Sequence, residues 1–151
     1  MMDQVNILQI ERDLTRLNSD FCFFLDQGQT DELVNLFTKD AHYSYSNRRS
    51  AGRVEIRELF KQRDQTIRTV RHLQNGLRLE IIDQTQAAGV SVCTTFAADA
   101  LPPIEPAEPY LVAGFIDSYQ LCEDGLWRIS KRHIERIFTA RGNLKPQGEE
   151  K

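Results

Sequence analysis

The stretch Leu73-Gln74-Asn75-Gly76-Leu77-Arg78-Leu79-Glu80-Ile81-Ile82 opens a run of four segments rich in β-branched and aromatic residues, and its reading decides the fold. Residues 73–82, 88–97, 110–121 and 126–138 read as strands, separated by Asp83-Gln84, a proline-rich loop and Glu123-Asp124-Gly125. Hairpin-length links cannot make parallel crossovers, so this half of the chain is an antiparallel meander. The half before it is mostly helical. Ile7, Ile10, Leu14, Leu17, Phe21 and Phe24 recur at three- and four-residue steps and mark one face of a helix over residues 5–25. Gly28 ends that helix, and Thr30 or Asp31 caps a second, short one running to Phe37 with Leu33, Leu36 and Phe37 inward. Ala41-His42-Tyr43-Ser44-Tyr45-Ser46 alternates at period two, which places Ala41, Tyr43 and Tyr45 on one face of a short strand and His42 toward solvent. Gly52 precedes a third helix, residues 54–66, with Ile56, Leu59 and Phe60 as its stripe. Helices first and a meander after them is the α+β pattern: a curved antiparallel sheet on a long first helix.

A chain of 151 residues suits one domain and one hydrophobic core, with an ordered part over residues 5–140 and a flexible polar tail after Arg141. Acidic residues number 22 against 19 basic ones, and the isoelectric point is about 5.6, so no basic field for nucleic acid is expected. Cys22, Cys93 and Cys122 have no C-x-x-C spacing, which predicts neither a disulfide framework nor a zinc site and fits a reducing cytoplasm. No apolar run approaches the roughly 18 residues of a membrane span, and Met1-Met2-Asp3-Gln4-Val5 carries no signal pattern; a soluble, cytoplasmic protein is expected. His42, His72 and His133 have no ligand-type spacing, and no glycine-rich phosphate loop occurs, so the expected chemistry needs no metal and no cofactor. The loop over residues 100–109 holds four prolines and reads either as a stiff hairpin connection or as a lid.

The residue types with most chemical meaning are His72, Asp26 and Arg132. His72 lies in Thr69-Val70-Arg71-His72-Leu73-Gln74-Asn75, at the mouth of the first long strand. A neutral imidazole titrates near working pH and acts as a general base when a carboxylate holds its tautomer. Asp26 follows Phe21-Cys22-Phe23-Phe24-Leu25, a turn that is apolar all round and so expected to be enclosed; it is either that carboxylate or a helix-end residue in water. If the two pair, the charge is expected to raise the imidazole pKa against the pull of desolvation. Arg132 can offset developing negative charge, or pair with an acid at a subunit contact. Period two divides Arg128, Ser130 and Arg132 from Trp127, Ile129, Lys131 and His133. Both faces carry cations, so His133 is a second pocket candidate. Phe21, Tyr43, Tyr45, Cys93 and Ile116 complete the candidate lining, and Asn75 reads as a turn residue before Gly76.

This order of elements, with Asp26-Gln27-Gly28 before the second helix, Asp40-Ala41 before a strand and Asp124-Gly125-Leu126-Trp127-Arg128-Ile129 in the last hairpin, resembles the SnoaL-like branch of the nuclear transport factor 2-like superfamily over residues 5–140. The resemblance implies a cone-shaped sheet around the first helix, a cystatin-like α+β barrel with a pocket inside. Among the catalytic patterns of that superfamily, those of hexachlorocyclohexane dehydrochlorinase and scytalone dehydratase are the most similar; they imply an Asp–His pair at Asp26 and His72, a substrate-side arginine at Arg132 and an aromatic wall at Tyr43. Phe21 stands where the dehydrochlorinase has a lysine, which argues against loss of chloride as the reaction. Two functions follow as expectations. One is a cofactor-independent lyase or isomerase acting on a small, largely apolar molecule. The other is a non-catalytic small-molecule binding module, or a scaffold subunit resembling the β chains of ring-hydroxylating dioxygenases. In either case Phe115, Tyr119, Trp127, Ile129 and Ile137 on the last two strands predict an apolar outer face and a homo-oligomer, trimer or dimer.

Overall fold

The computed structural model describes residues 2–140. The tail after Arg141, expected to be flexible, lies outside the described residues. Helix α1, Gln4–Gln27, starts where the Asp3 side chain accepts the Val5 N–H. It stops at Gly28, whose φ of 67° is the left-handed conformation that costs glycine least; the Gly28 and Gln29 N–H groups then reach back to Leu25 and Phe24. Helix α2, Thr30–Asn35, has Gln29 at its N-cap position, with no side-chain cap bond, where Thr30 or Asp31 was expected, and it ends before Phe37. Phe37 belongs to strand β1, Phe37–Tyr45, because its backbone pairs with Ile129 and its ring is buried there. Strand β2, Arg48–Ala51, was not legible in the sequence: four polar or small residues give no periodic signal. Helix α3, Gly52–Lys61, runs into a 3₁₀ turn, Gln62–Gln65, where a longer helix was expected.

Strands β3, Thr69–Ile81, β4, Gln86–Ala98, β5, Leu111–Leu121, and β6, Trp127–Thr139, form the expected meander. The sheet order is β2-β1-β6-β5-β4-β3. Every pairing is antiparallel except that of β1 with β6, which is parallel. The whole meander separates those two strands in sequence, so no short link constrains their direction. The fold is α+β, a curved six-stranded sheet with α1 packed into it.

The apolar stripe of α1 fills that curvature. Leu14 and Phe21 are fully buried, and they share one core with Cys93, Ala113, Phe115, Tyr119 and Ile129 from the sheet. Each of the larger side chains among them, such as Leu14, Phe21 and Ile129, contributes roughly 1.5–3 kcal/mol by leaving water. The last turn of α1 is less enclosed than its composition suggested, since Phe23 is 55% exposed.

Among the register shifts of the sheet, two β-bulges bear on the site. On β6, Ser118 pairs with Lys131 and Tyr119 with Ile129, so Ser130 is an extra residue. Trp127 and Ile129 point inward before it, and Arg132 and Ile134 point inward after it; neither of the two period-two faces read from the sequence survives intact. On β3, Asn75 pairs with Val92 and Arg78 with Val90, and Gly76, φ 64°, sits in the extra step. Asn75 therefore precedes a bulge and not a turn. The outer face also differs from expectation. Phe115, Tyr119, Trp127 and Ile129 are buried in the core, and the exposed apolar residues of the outer face are Val90, Val92, Ile116 and Ile137.

Candidate active site

Strand β3 crosses the C-terminal end of α1, and this crossing brings His72 to Asp26. His72 Nδ1 lies 2.6 Å from Asp26 Oδ1, and the His72 backbone N–H donates to Asp26 Oδ2 at 3.1 Å. A carboxylate only accepts, so Nδ1 carries the proton and Nε2 keeps its lone pair. Both side chains are about nine-tenths buried. The expected rise in the imidazole pKa does not occur. Burial disfavours the cation and lowers the value below 6.5; the hydrogen bond to Asp26 opposes this, while the guanidiniums of Arg63 and Arg68 add to it. His72 is thus held as the neutral base at pH 7.

His72 lines a cavity between α1, α3 and the sheet that opens to solvent. Phe21, Leu25, Phe60, Phe115 and Ile134 make its apolar wall, and Tyr43 and Tyr45 line it from β1. Phe21, Phe60 and Tyr43 meet edge to face, with Tyr43 5.4 Å from Phe60 between ring centres. Burial raises the Tyr43 pKa to about 12, so its hydroxyl stays protonated and able to donate. Thr95, the register partner of His72 on β4, lies on the same wall.

Arg132 is placed differently from the substrate-side position that the resemblance implied. It is fully buried and does not line the cavity. Its Nε and Nη2 bond both oxygens of Asp117, its register partner on β5, at 2.8 Å each. Nη2 also donates to Asn18 of α1 at 2.5 Å, and the guanidinium stacks 4.3 Å from the Phe21 ring centre and 4.6 Å from that of Phe115. Burial alone would favour the neutral guanidine, but the charge and hydrogen bonds of Asp117 outweigh it and hold Arg132 cationic. The network continues through Tyr119, whose hydroxyl donates to Asp117, and through Gln74, which links Asn18 to Ser91. Five elements are joined behind the cavity wall. Nη1 of Arg132 is buried with no hydrogen-bond partner among the described residues.

Residues 6–133 match the family described as SnoaL-like domain. The chain belongs to that family. No curated protein sequence matches it. Solved structures do. A candidate scytalone dehydratase from Novosphingobium aromaticivorans DSM 12444 is 20% identical with a TM-score of 0.83, covering 99% of this chain and 100% of that one. LinA is 20% identical with a TM-score of 0.77, covering 95% and 97%. The hexachlorocyclohexane dehydrochlorinase LinA-type3 from Novosphingobium barchaimii LL02 is 16% identical with a TM-score of 0.76, covering 95% and 100%. At such identities the likeness is one of fold.

Within this SnoaL-like domain three sequence candidates, besides Asp26 and Arg132, are not among the residues that line the cavity. Cys93 is buried in the core behind the cavity wall. Ile116 is 42% exposed, because β5 turns Phe115 and Asp117 inward and Ile116 out. His133 follows the Ser130 bulge and faces outward, where its Nδ1 lies 2.7 Å from Ser44 Oγ. The prolines of the loop after β4 do not line the cavity either; Pro102, Pro106 and Pro109 border a separate cleft beside the ends of β3 and β4. The residues that sequence reasoning missed are Arg48, Arg63 and Arg68, all of which line the cavity. Arg48 opens β2, too short a strand to show a period, and Arg63 and Arg68 stand in the 3₁₀ turn and the link before β3, where no periodicity assigns a face; the one available signal was that Arg68 precedes His72 by four residues, at the entry to a strand that had to reach the site.

Proposed function

We propose that this SnoaL-like domain is a lyase or isomerase that needs no cofactor and begins its reaction by abstracting a proton next to an activated carbon. The single observation that carries the reading is the 2.6 Å contact between Asp26 and a histidine that lines an aromatic-walled cavity. Nε2 of His72 takes the proton, and the imidazolium so formed is stabilised by the Asp26 carboxylate, which already fixes its tautomer. The negative charge left on the substrate is met by the guanidiniums of Arg63 and Arg68, while Tyr43 supplies a neutral hydrogen-bond donor. Arg132 acts from behind the wall, as a fixed positive charge and as the support of Phe21 and Phe115. Loss of a leaving group completes an elimination; return of the proton to another carbon completes an isomerisation. The family neighbours named for a dehydratase and a dehydrochlorinase agree with this class of reaction.

A binding module or scaffold subunit needs the cavity but has no use for a carboxylate-oriented base, so the contact favours the catalytic reading. Solvent exchange tests it without knowledge of the natural substrate. In D₂O, ring-sized ketones and unsaturated acids are incubated with the protein, and deuterium entry at the activated carbon is followed by NMR. His72→Ala is expected to lower the exchange rate by roughly 10²–10⁴-fold. Exchange that proceeds equally in that variant removes His72 from the mechanism.

A further inference from the structure

We propose that the cavity is built for an organic anion, a ring-sized apolar body carrying a carboxylate, and that Arg68 with Arg48 and Arg63 holds the carboxylate. The inference deepens the reading above and replaces its largely apolar substrate by an amphipathic one. Three arginines line the cavity together with His72, and no aspartate or glutamate is among the described lining residues. Arg48 and Arg68 form no ion pair among the described residues. Arg48 donates to Gln62, a neutral amide, at 3.0 Å. Arg68 Nε is buried without a hydrogen-bond partner among the described residues, which is costly for a charged donor unless a ligand completes it. Arg68 also borders a cleft that reaches Asp26 at the end of α1, whose carboxylate is engaged by His72. The other buried carboxylate behind this wall, Asp117, is committed to Arg132.

The geometry assigns a direction to the ligand. The apolar body enters among Phe21, Phe60 and Phe115, and the carboxylate stays with the guanidiniums, whose planar forks match it in pairs of hydrogen bonds. A carbon adjacent to that carboxylate, or conjugated with it, then lies on the His72 side of the cavity. The same arginines that bind the ground-state charge receive the charge that spreads onto the carboxylate as the proton leaves.

Calorimetric titration of the full chain with cinnamate and with cinnamamide tests the assignment, because the two share a shape and differ in charge. Cinnamate is expected to bind on the order of ten-fold tighter or more, as charge-assisted hydrogen bonds imply. Arg68→Gln is expected to remove most of that preference by weakening cinnamate far more than cinnamamide, and Arg48→Gln to reduce it. Arg68→Lys is expected to retain part of it, which guards against a folding defect in the glutamine variant. Equal binding of the two compounds, binding of neither, or a preference untouched by all of these variants overturns the proposal. Inorganic phosphate competing as well as cinnamate also overturns it, since that would make the site one for bare oxyanions. The preference is expected to persist in His72→Ala, so a failure of the base and a failure of the anion site are told apart.

Discussion

Asp26 grips His72 at two atoms, its Oδ1 against the ring Nδ1 at 2.6 Å and its Oδ2 against the backbone N–H at 3.1 Å. One carboxylate therefore sets both the tautomer of the imidazole and the place where β3 crosses α1. The double contact separates Asp26 from a residue that merely polarises its neighbour. Asp26→Asn offers a donor where only an acceptor fits, and it is expected to lower turnover by about ten-fold or more while leaving ligand affinity nearly unchanged. Steady-state kinetics on any compound that exchanges its proton in D₂O measures the split between kcat and KM. A rise in KM alone would make Asp26 a binding residue.

The direction of the His72 shift has a consequence for stability. Its folded pKa lies below the ordinary 6.5, so between 6.5 and the folded value the unfolded chain binds more protons than the native one. The contribution of His72 is complete above about 6.5 and is lost as pH falls through that window. Thermal melts of the wild type and of His72→Gln at pH 7.5 and 5.5 are expected to converge at the lower pH. Parallel losses in both proteins would show that His72 is not buried as a neutral group.

The ion pair of Arg132 and Asp117 has neither partner exposed to solvent. Asp117→Asn leaves a buried guanidinium without its counter-charge, and a loss of about 3–5 kcal/mol in urea unfolding is expected. Asp117→Leu combined with Arg132→Met is expected to recover part of that loss, because two apolar side chains leave no charge unmatched. Additive losses in the double variant would contradict the pairing.

We propose that the outer face is covered by further copies of the chain. Val90 and Ile116 are register partners on β4 and β5, 48% and 42% exposed, and Val92 and Ile137 extend the same apolar surface. Sedimentation at micromolar concentration is expected to give a dimer or trimer, and Val90→Lys with Ile116→Lys to give the monomer. A monomeric wild type rules this out.

Most of the fold was legible because it is written in long periodic runs. Ile7 to Phe24 along α1 and the alternating residues of β3 to β6 each repeat over several turns or pleats, and burial enforces such repeats. The face of Arg132 was not legible, because the bulge at Ser130 adds one residue and inverts everything after it. The pairing of Asp26 with His72 lies off the helix stripe and depends on where β3 crosses, a tertiary fact that local sequence does not encode. Arg63 and Arg68 illustrate the same limit from the other side. Arg63 lies within the 3₁₀ turn and Arg68 just before β3, where side chains have no preferred face until the cavity exists.

The most direct test of the account is the histidine titration followed by nitrogen and proton NMR, with His42, His72 and His133 assigned by substitution. His72 is expected to titrate below 6.5, to show the tautomer protonated at Nδ1 above that pKa, and to fall further in Asp26→Asn, because the hydrogen bond that opposes desolvation is then lost. A His72 signal that titrates as a free imidazole near 6.5 and does not respond to Asp26→Asn would contradict the paired base, and with it the assignment of this SnoaL-like domain as a proton-abstracting enzyme.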